Sequence, residues 1–229
     1  MINIYRKRLE LLRSESNFGE ADLAARLRTL MHEKDAPLEA SDFQLSTWVS
    51  PAAKTLPPVE ALPYIARLFS TNIGYLFGLH EVRDMVNPRF AIDVDIEECD
   101  EEYKSRHGGR SIQTDRVVYN QWFVKIKRKA DVKYRIKPFI ALSEALNWDI
   151  DYILGLTDVK HWQYYCLENG RLDLIPAGTR FLLDDGETIA TFSRDRSFDV
   201  LMDGMVLQLD FEQLKKRAPK IICGYVLLD

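Results

Sequence analysis

Cysteine is scarce in this chain of 229 residues: Cys99, Cys166 and Cys223 are all there is. Three widely separated thiols indicate neither a disulfide framework nor a zinc cluster. Histidine is nearly as sparse. His32, His80, His107 and His161 are scattered and lack the spacing of metal ligands. No apolar run approaches the roughly 18 residues that a membrane span requires. The opening Met1-Ile2-Asn3-Ile4-Tyr5-Arg6 lacks the apolar stretch of a signal peptide. A Gly-rich phosphate loop, a nucleophile elbow and a pair of carboxylates at catalytic spacing are missing too. These absences predict a cytoplasmic protein without metal, cofactor or catalytic activity. The apolar content, 46% of residues, is ample for two or three small cores.

What is present is a phrase used twice. Ile73-Gly74-Tyr75-Leu76-Phe77-Gly78-Leu79-His80-Glu81-Val82 returns as Ile150-Asp151-Tyr152-Ile153-Leu154-Gly155-Leu156-Thr157-Asp158-Val159. The ten positions align without a gap. Each copy follows an amphipathic segment, Glu60–Ser70 and Pro138–Asn147. A period of roughly 77 residues means one domain type used twice.

Apolar periodicity and breakers place the rest. Helices are predicted over Tyr5–Ser16, Glu20–Glu33 and Ser41–Val49, the last capped by Ser41 or Asp42. The segments Glu60–Ser70 and Ile73–Leu79 finish the first unit, residues 1–82. Residues 83–94, with Asn87-Pro88, read as a linker. The second unit, residues 95–159, is predicted to hold helices Ile96–Arg106, Thr114–Lys127, Lys133–Leu146 and Ile150–Leu156. Beyond it, short alternating segments separated by turn residues predict a small, mostly antiparallel β domain over residues 160–229. Its strands are expected at Trp162–Leu167, Arg171–Ile175, Thr179–Leu183, Thr188–Phe192, Phe198–Met202, Met205–Leu209 and Ile221–Leu228, with a helix at Phe211–Arg217. Tyr164, Tyr165, Phe181, Phe192 and Phe198 are its expected core. Ile221–Leu228 is expected to be a buried central strand, or else to pair across a two-fold axis. The fold class is α+β.

Charge is unevenly spread. The chain carries −4 overall. Yet from Tyr103 to Lys137 eleven Lys and Arg face only Asp115 and Asp131, a net +9. Just before lie Asp93, Asp95, Glu97, Glu98, Asp100, Glu101 and Glu102, a net −7. The segment Ser41 to Glu60 carries −1.

The phrase from Leu142 through Trp148 and Gly155 to Asp158 resembles the last two helices of the lambda-repressor-like (Cro/repressor, Xre) helix-turn-helix family. Arg116-Val117-Val118-Tyr119-Asn120-Gln121-Trp122, followed by the basic run at Lys125–Lys129, matches the family's recognition helix and the turn after it. Phe43-Gln44-Leu45-Ser46-Thr47-Trp48 matches it in the first unit. The resemblance covers roughly residues 5–159. It departs from the family at the turn before each recognition helix, at an insertion around Met31–Leu38 and at Gly108-Gly109.

The resemblance implies two tandem all-α helix-turn-helix units ahead of the β domain. It also implies a bacterial or phage DNA-binding transcriptional regulator, a repressor that binds operator DNA as a homodimer. Base contacts then fall to Gln113, Arg116, Asn120 and Gln121, since Arg suits guanine while Asn and Gln suit adenine. Phosphate contacts fall to Arg110, Lys125, Lys127, Arg128, Lys129 and Lys133. With little positive charge, the first unit is expected to be a packing and dimer module, or else a helper half-site. The β domain is expected to dimerise the chain or to dock a protein partner. The competing expectation is a protein- or RNA-binding module on the same scaffold, for example a phage inhibitor of a host machine. The acidic block favours that alternative and the +9 segment favours DNA. Ala177-Gly178 resembles the bond cut in self-cleaving repressors, but it falls in a predicted turn and no Ser–Lys motif accompanies it.

Overall fold

A computed structural model describes residues 1–112, 135–183, 187–202, 204–217 and 226–227. The chain forms two compact units, Met1–Asp158 and Val159–Asp229.

The first repeat is five helices. In α1 (Ile2–Ser16), Tyr5, Leu9 and Leu12 recur at helical spacing and are buried. Asn17 ends it in the left-handed region, at φ 57°. In α2 (Glu20–Glu33), acidic Glu20 and Asp22 sit in the first turn and Leu23, Ala24, Leu27 and Met31 form the buried stripe. Helix α3 (Asp42–Val49) starts at a capping box. The Gln44 amide donates to Ser41 Oγ, and the Ser41 amide donates to Gln44 Oε1 at 2.9 Å. The Tyr5 hydroxyl donates to the Trp48 carbonyl at 2.9 Å and ties α1 to the end of α3. A 3-10 turn at Val59–Ala61 leads into α4 (Leu62–Leu68), shorter than the predicted Glu60–Ser70. Pro63 sits in its first turn, where a missing N–H costs nothing. Asn72 then caps α5 (Ile73–Leu76), accepting from the Tyr75 amide at 2.8 Å.

The described part of the second repeat comprises α6 (Ile96–Arg106), capped by Asp95, α7 (Ile136–Leu146) and α8 (Ile150–Ile153), capped by Asp149. The predicted helix Thr114–Lys127 lies outside the described residues. Both copies of the repeated phrase fold alike. Each makes one short helix and stops at a glycine of positive φ, Gly78 at 69° and Gly155 at 73°. The same 3.0 and 2.9 Å bonds close the two turns, from the Leu79 amide to Gly74 O and from the Leu156 amide to Asp151 O.

A single apolar core joins the repeats, running from Tyr5 to Leu156. Residues 83–94 take part in it. The Asp93 amide donates to Leu154 O at 3.0 Å, and Phe90 packs on Tyr64 with ring centres 5.1 Å apart. Against the second phrase this stretch does what α1 does against the first. Arg8 pairs with Glu81, while Arg89 grips the equivalent Asp158 at 2.7 and 2.8 Å. A methyl group on Gly78 would meet Ile4, and one on Gly155 would meet Asp93 O at 2.2 Å.

In the Val159–Asp229 unit, five strands form an antiparallel sheet in the order β4-β3-β2-β1-β5. They are β1 (Arg180–Leu182), β2 (Ile189–Phe192), β3 (Phe198–Met202), β4 (Met205–Leu209) and β5 (Val226–Leu227). Phe181, Phe192 and Phe198 are buried, as is Leu214 of the helix Phe211–Arg217. Tyr164 and Tyr165 are only half-buried.

Three strand expectations are corrected. Trp162–Leu167 is a helix, Trp162–Glu168, because its buried positions Gln163, Cys166 and Leu167 follow a helical period. The alternation of Trp162, Tyr164 and Cys166 mimicked a strand. Arg171–Ile175 is a 3-10 turn at Leu172–Leu174. Within Ile221–Leu228 the described pair Val226–Leu227 lies at the edge of the sheet beside β1, not at its centre.

Candidate nucleic-acid interface

Helix α3 stands where the resemblance puts the recognition helix of the first repeat. Leu45, Trp48 and Val49 bury one face of it. On the other, Ser41, Asp42, Phe43 and Gln44 are exposed, Phe43 by 81%. The polar groups there already have partners. Ser41 and Gln44 cap the helix, Arg28 pairs with Asp42, and the Thr47 hydroxyl donates to Phe43 O at 2.7 Å. The connection from α2 to α3 is long. It walls a cleft of about 500 Å³ lined by Arg28, Met31, His32, Leu38 and Leu45 among others.

In the second repeat Arg110 is exposed just after α6, its amide donating to His107 O at 3.3 Å. Gln113, Arg116, Asn120, Gln121, Lys125, Lys127, Arg128, Lys129 and Lys133 lie outside the described residues. The acidic block ahead of them is largely engaged within the fold. Asp95 caps α6, accepting from the Glu98 amide at 2.9 Å. Glu98 accepts from the Tyr152 hydroxyl at 2.9 and 3.0 Å. Asp100 accepts from Ser111 Oγ at 2.7 Å and the Ile112 amide at 2.8 Å, and pairs with Lys104 at 2.7 Å. Glu102 accepts from Arg106 Nε at 2.6 Å. Burial pushes the Asp100 carboxyl up, but Lys104, Ser111 and the Ile112 amide outweigh it and hold the group below its ordinary value.

Sequence reasoning missed a second feature. Where α5 meets α8, a buried polar cluster joins the repeats. Asp151 accepts from the Ile73 and Gly74 amides at 2.9 Å each, and from the Asn87 side chain. Asp149 pairs with His80 Nε2 at 3.0 Å and accepts from the Asp151 amide at 2.8 Å. Asn72 donates to Val82 O at 2.9 Å. Burial, then the Asp149 charge, pushes the Asp151 carboxyl up to about 7 against the pull of its three donors. The only sequence signal was that the aligned repeat has Gly74 where the second copy has Asp151.

No protein-family model, curated protein or solved structure matches the chain. Among the described residues, no group of three His, Cys, Asp or Glu is placed to hold a metal, and no helix is long and apolar enough to cross a membrane.

Proposed function

We propose that the chain is a bacterial or phage DNA-binding transcriptional regulator. In this reading it is cytoplasmic, non-catalytic and represses by binding operator DNA as a homodimer. Its two tandem helical units belong to the helix-turn-helix class, and the second carries the affinity. The observation that carries this reading is the charge balance. Four of the seven acidic residues before the +9 segment cap, pair or hydrogen-bond within the fold, so they are not a competing acidic docking face. With Lys104 and Arg106 spent on Asp100 and Glu102, the nine other basic residues of the segment face only Asp115 and Asp131, and this net +7 offers phosphate attraction that the chain's overall charge conceals. The first repeat supports the reading from the other side. Its α3 has its polar groups committed locally, as suits a packing module. For the dimer, β4 is an edge of the sheet among the described residues, and its Met205 and Val206, with Leu201 of β3, are 63–69% exposed.

One observation favours the second reading, a protein- or RNA-binding module. Phe43 stands exposed at the start of α3, where a partner's apolar group or a base could pack on it. Selection of bound fragments from random duplex DNA tests the proposal. An enriched palindromic site is the expected result. Salt-sensitive binding without any enriched sequence overturns operator reading, and retention of a partner only through Phe43 turns the case to the second reading.

A further inference from the structure

The contact between α5 and α8 is made by equivalent parts of the two repeats. Identical partners would give such a contact the same residue on both sides. This one has Gly74 on one side and Asp151 on the other. Each is required where it stands. A Cβ at position 74 would lie 2.2 Å from His80 Nε2, so no side chain fits there while His80 faces Asp149. The space is filled from the opposite repeat, whose Asp151 carboxylate reaches the Ile73 and Gly74 amides. Those amides open α5 and have no carbonyl four residues back to accept them. Two glycines would leave them buried without this acceptor. Two aspartates would oppose like charges where Asp149 already makes a second one, and would drive a side chain into His80. Only the unlike pair satisfies the site.

We propose that this junction is a heterologous interface closed within one chain, and that the Asp151–Gly74 pair is what selects its partners. The first repeat's face, from Asn72 to Tyr75, fits a helix N-terminus bearing an aspartate at its second position. The chain itself supplies that helix, and residues 83–94 hold it in place through Asn87, Arg89 and Asp93. A second copy can use this face only by exchanging repeats. Any symmetric dimer of the intact chain therefore forms elsewhere. The inference does not depend on what the protein binds, and its test uses no nucleic acid.

Amide hydrogen exchange on the full chain, read by NMR, tests it. In the unaltered protein the Ile73 and Gly74 amides should be as protected as that of Leu27 in α2. Asn at position 151 keeps one carbonyl oxygen for two amides. At pH 8, where the Asp151 carboxyl has lost its proton, Asp151→Asn should therefore cost one of the two its protection by about 10- to 150-fold, the range for a hydrogen bond to a charged group. The amide of Leu45 in α3 should not change. Asp151→Gly should release both amides. If Asp151→Gly does not fold, the unaltered protein and Asp151→Asn still decide. Fast exchange at Ile73 and Gly74 in the unaltered protein, or full protection of both in Asp151→Asn, would overturn the proposal.

Discussion

Replacing Gly74 by alanine should destabilise the Met1–Asp158 unit, although the usual effect is the reverse. Alanine in place of glycine within a helix ordinarily stabilises by roughly 1 kcal/mol. Here the new methyl carbon would fall 2.2 Å from His80 Nε2, 2.9 Å from its Cδ2 and 3.0 Å from its Cε1. His80 is only 5% exposed, so the ring has little free space. Moving it breaks the 3.0 Å pairing with Asp149, which is itself 2% exposed. A buried group that loses its hydrogen-bond partner costs on the order of 1–3 kcal/mol. Against the intrinsic gain, the net loss is up to about 2 kcal/mol. Urea unfolding followed by tryptophan fluorescence measures it, since Trp48, Trp122 and Trp148 all lie within residues 1–158. His80→Ala supplies the control. In that background the methyl meets no ring, so Gly74→Ala should become neutral or stabilising by about 1 kcal/mol. The reasoning fails if Gly74→Ala stabilises the unaltered protein, or if it costs the same in both backgrounds.

Four further outcomes are expected. The Asp151 carboxyl, raised to about 7, binds its proton more tightly in the folded chain than in the unfolded one. Its stabilising contribution is therefore complete below about pH 4 and lost as pH rises through 7. Urea midpoints at pH 5 and pH 8 should differ in that direction, and the difference should shrink in Asp151→Asn; an equal difference in that variant refutes the assignment. Lys127→Glu/Arg128→Glu should weaken binding to all DNA sequences and flatten its salt dependence, and equal binding by residues 1–90 alone would move the affinity to the first repeat. Asn120→Ala and Gln121→Ala should lower preference for the selected site by roughly 1–3 kcal/mol while leaving random-sequence binding intact; equal losses on both count against base contacts. Light scattering should show a dimer that Val206→Lys converts to monomer, and a full-length monomer at micromolar concentration would remove the β4 edge from consideration.

The helical half was legible where apolar residues recur at one period between strong breakers. Glu20–Glu33 and Ile96–Arg106 have the predicted bounds because a glycine or an Asp cap opens each of them. The strands Phe198–Met202 and Met205–Leu209 were legible because Asp203-Gly204 marks the turn and the alternation is clean. Trp162–Glu168 was not, since seven residues rich in aromatics fit both periods and only the tertiary packing of Cys166 and Leu167 decides between them. The junction could not be read at all. Asp149 and Asp151 look like ordinary cap residues, and their significance depends on a glycine 77 positions earlier and on Asn87 in a stretch that reads as a linker. Charge was misleading in a similar way. The acidic block looked like a surface feature, but the partners that engage it come from side chains four to 54 residues away.

The stretch at residues 83–94 has a genetic consequence. A deletion that joined the two phrases in register would remove 77 residues and leave one repeat. In this fold such a product is not a smaller working copy. It loses residues 83–94, and with them Phe90 from Tyr64 and the Asp93 amide from Leu154 O. It also loses either the glycine or the aspartate of the junction. Once the joining segment became part of the core, the two copies ceased to be spare parts for each other. Shortening the gene by one repeat is therefore closed to drift, while changes within either repeat remain open only where the other repeat tolerates them.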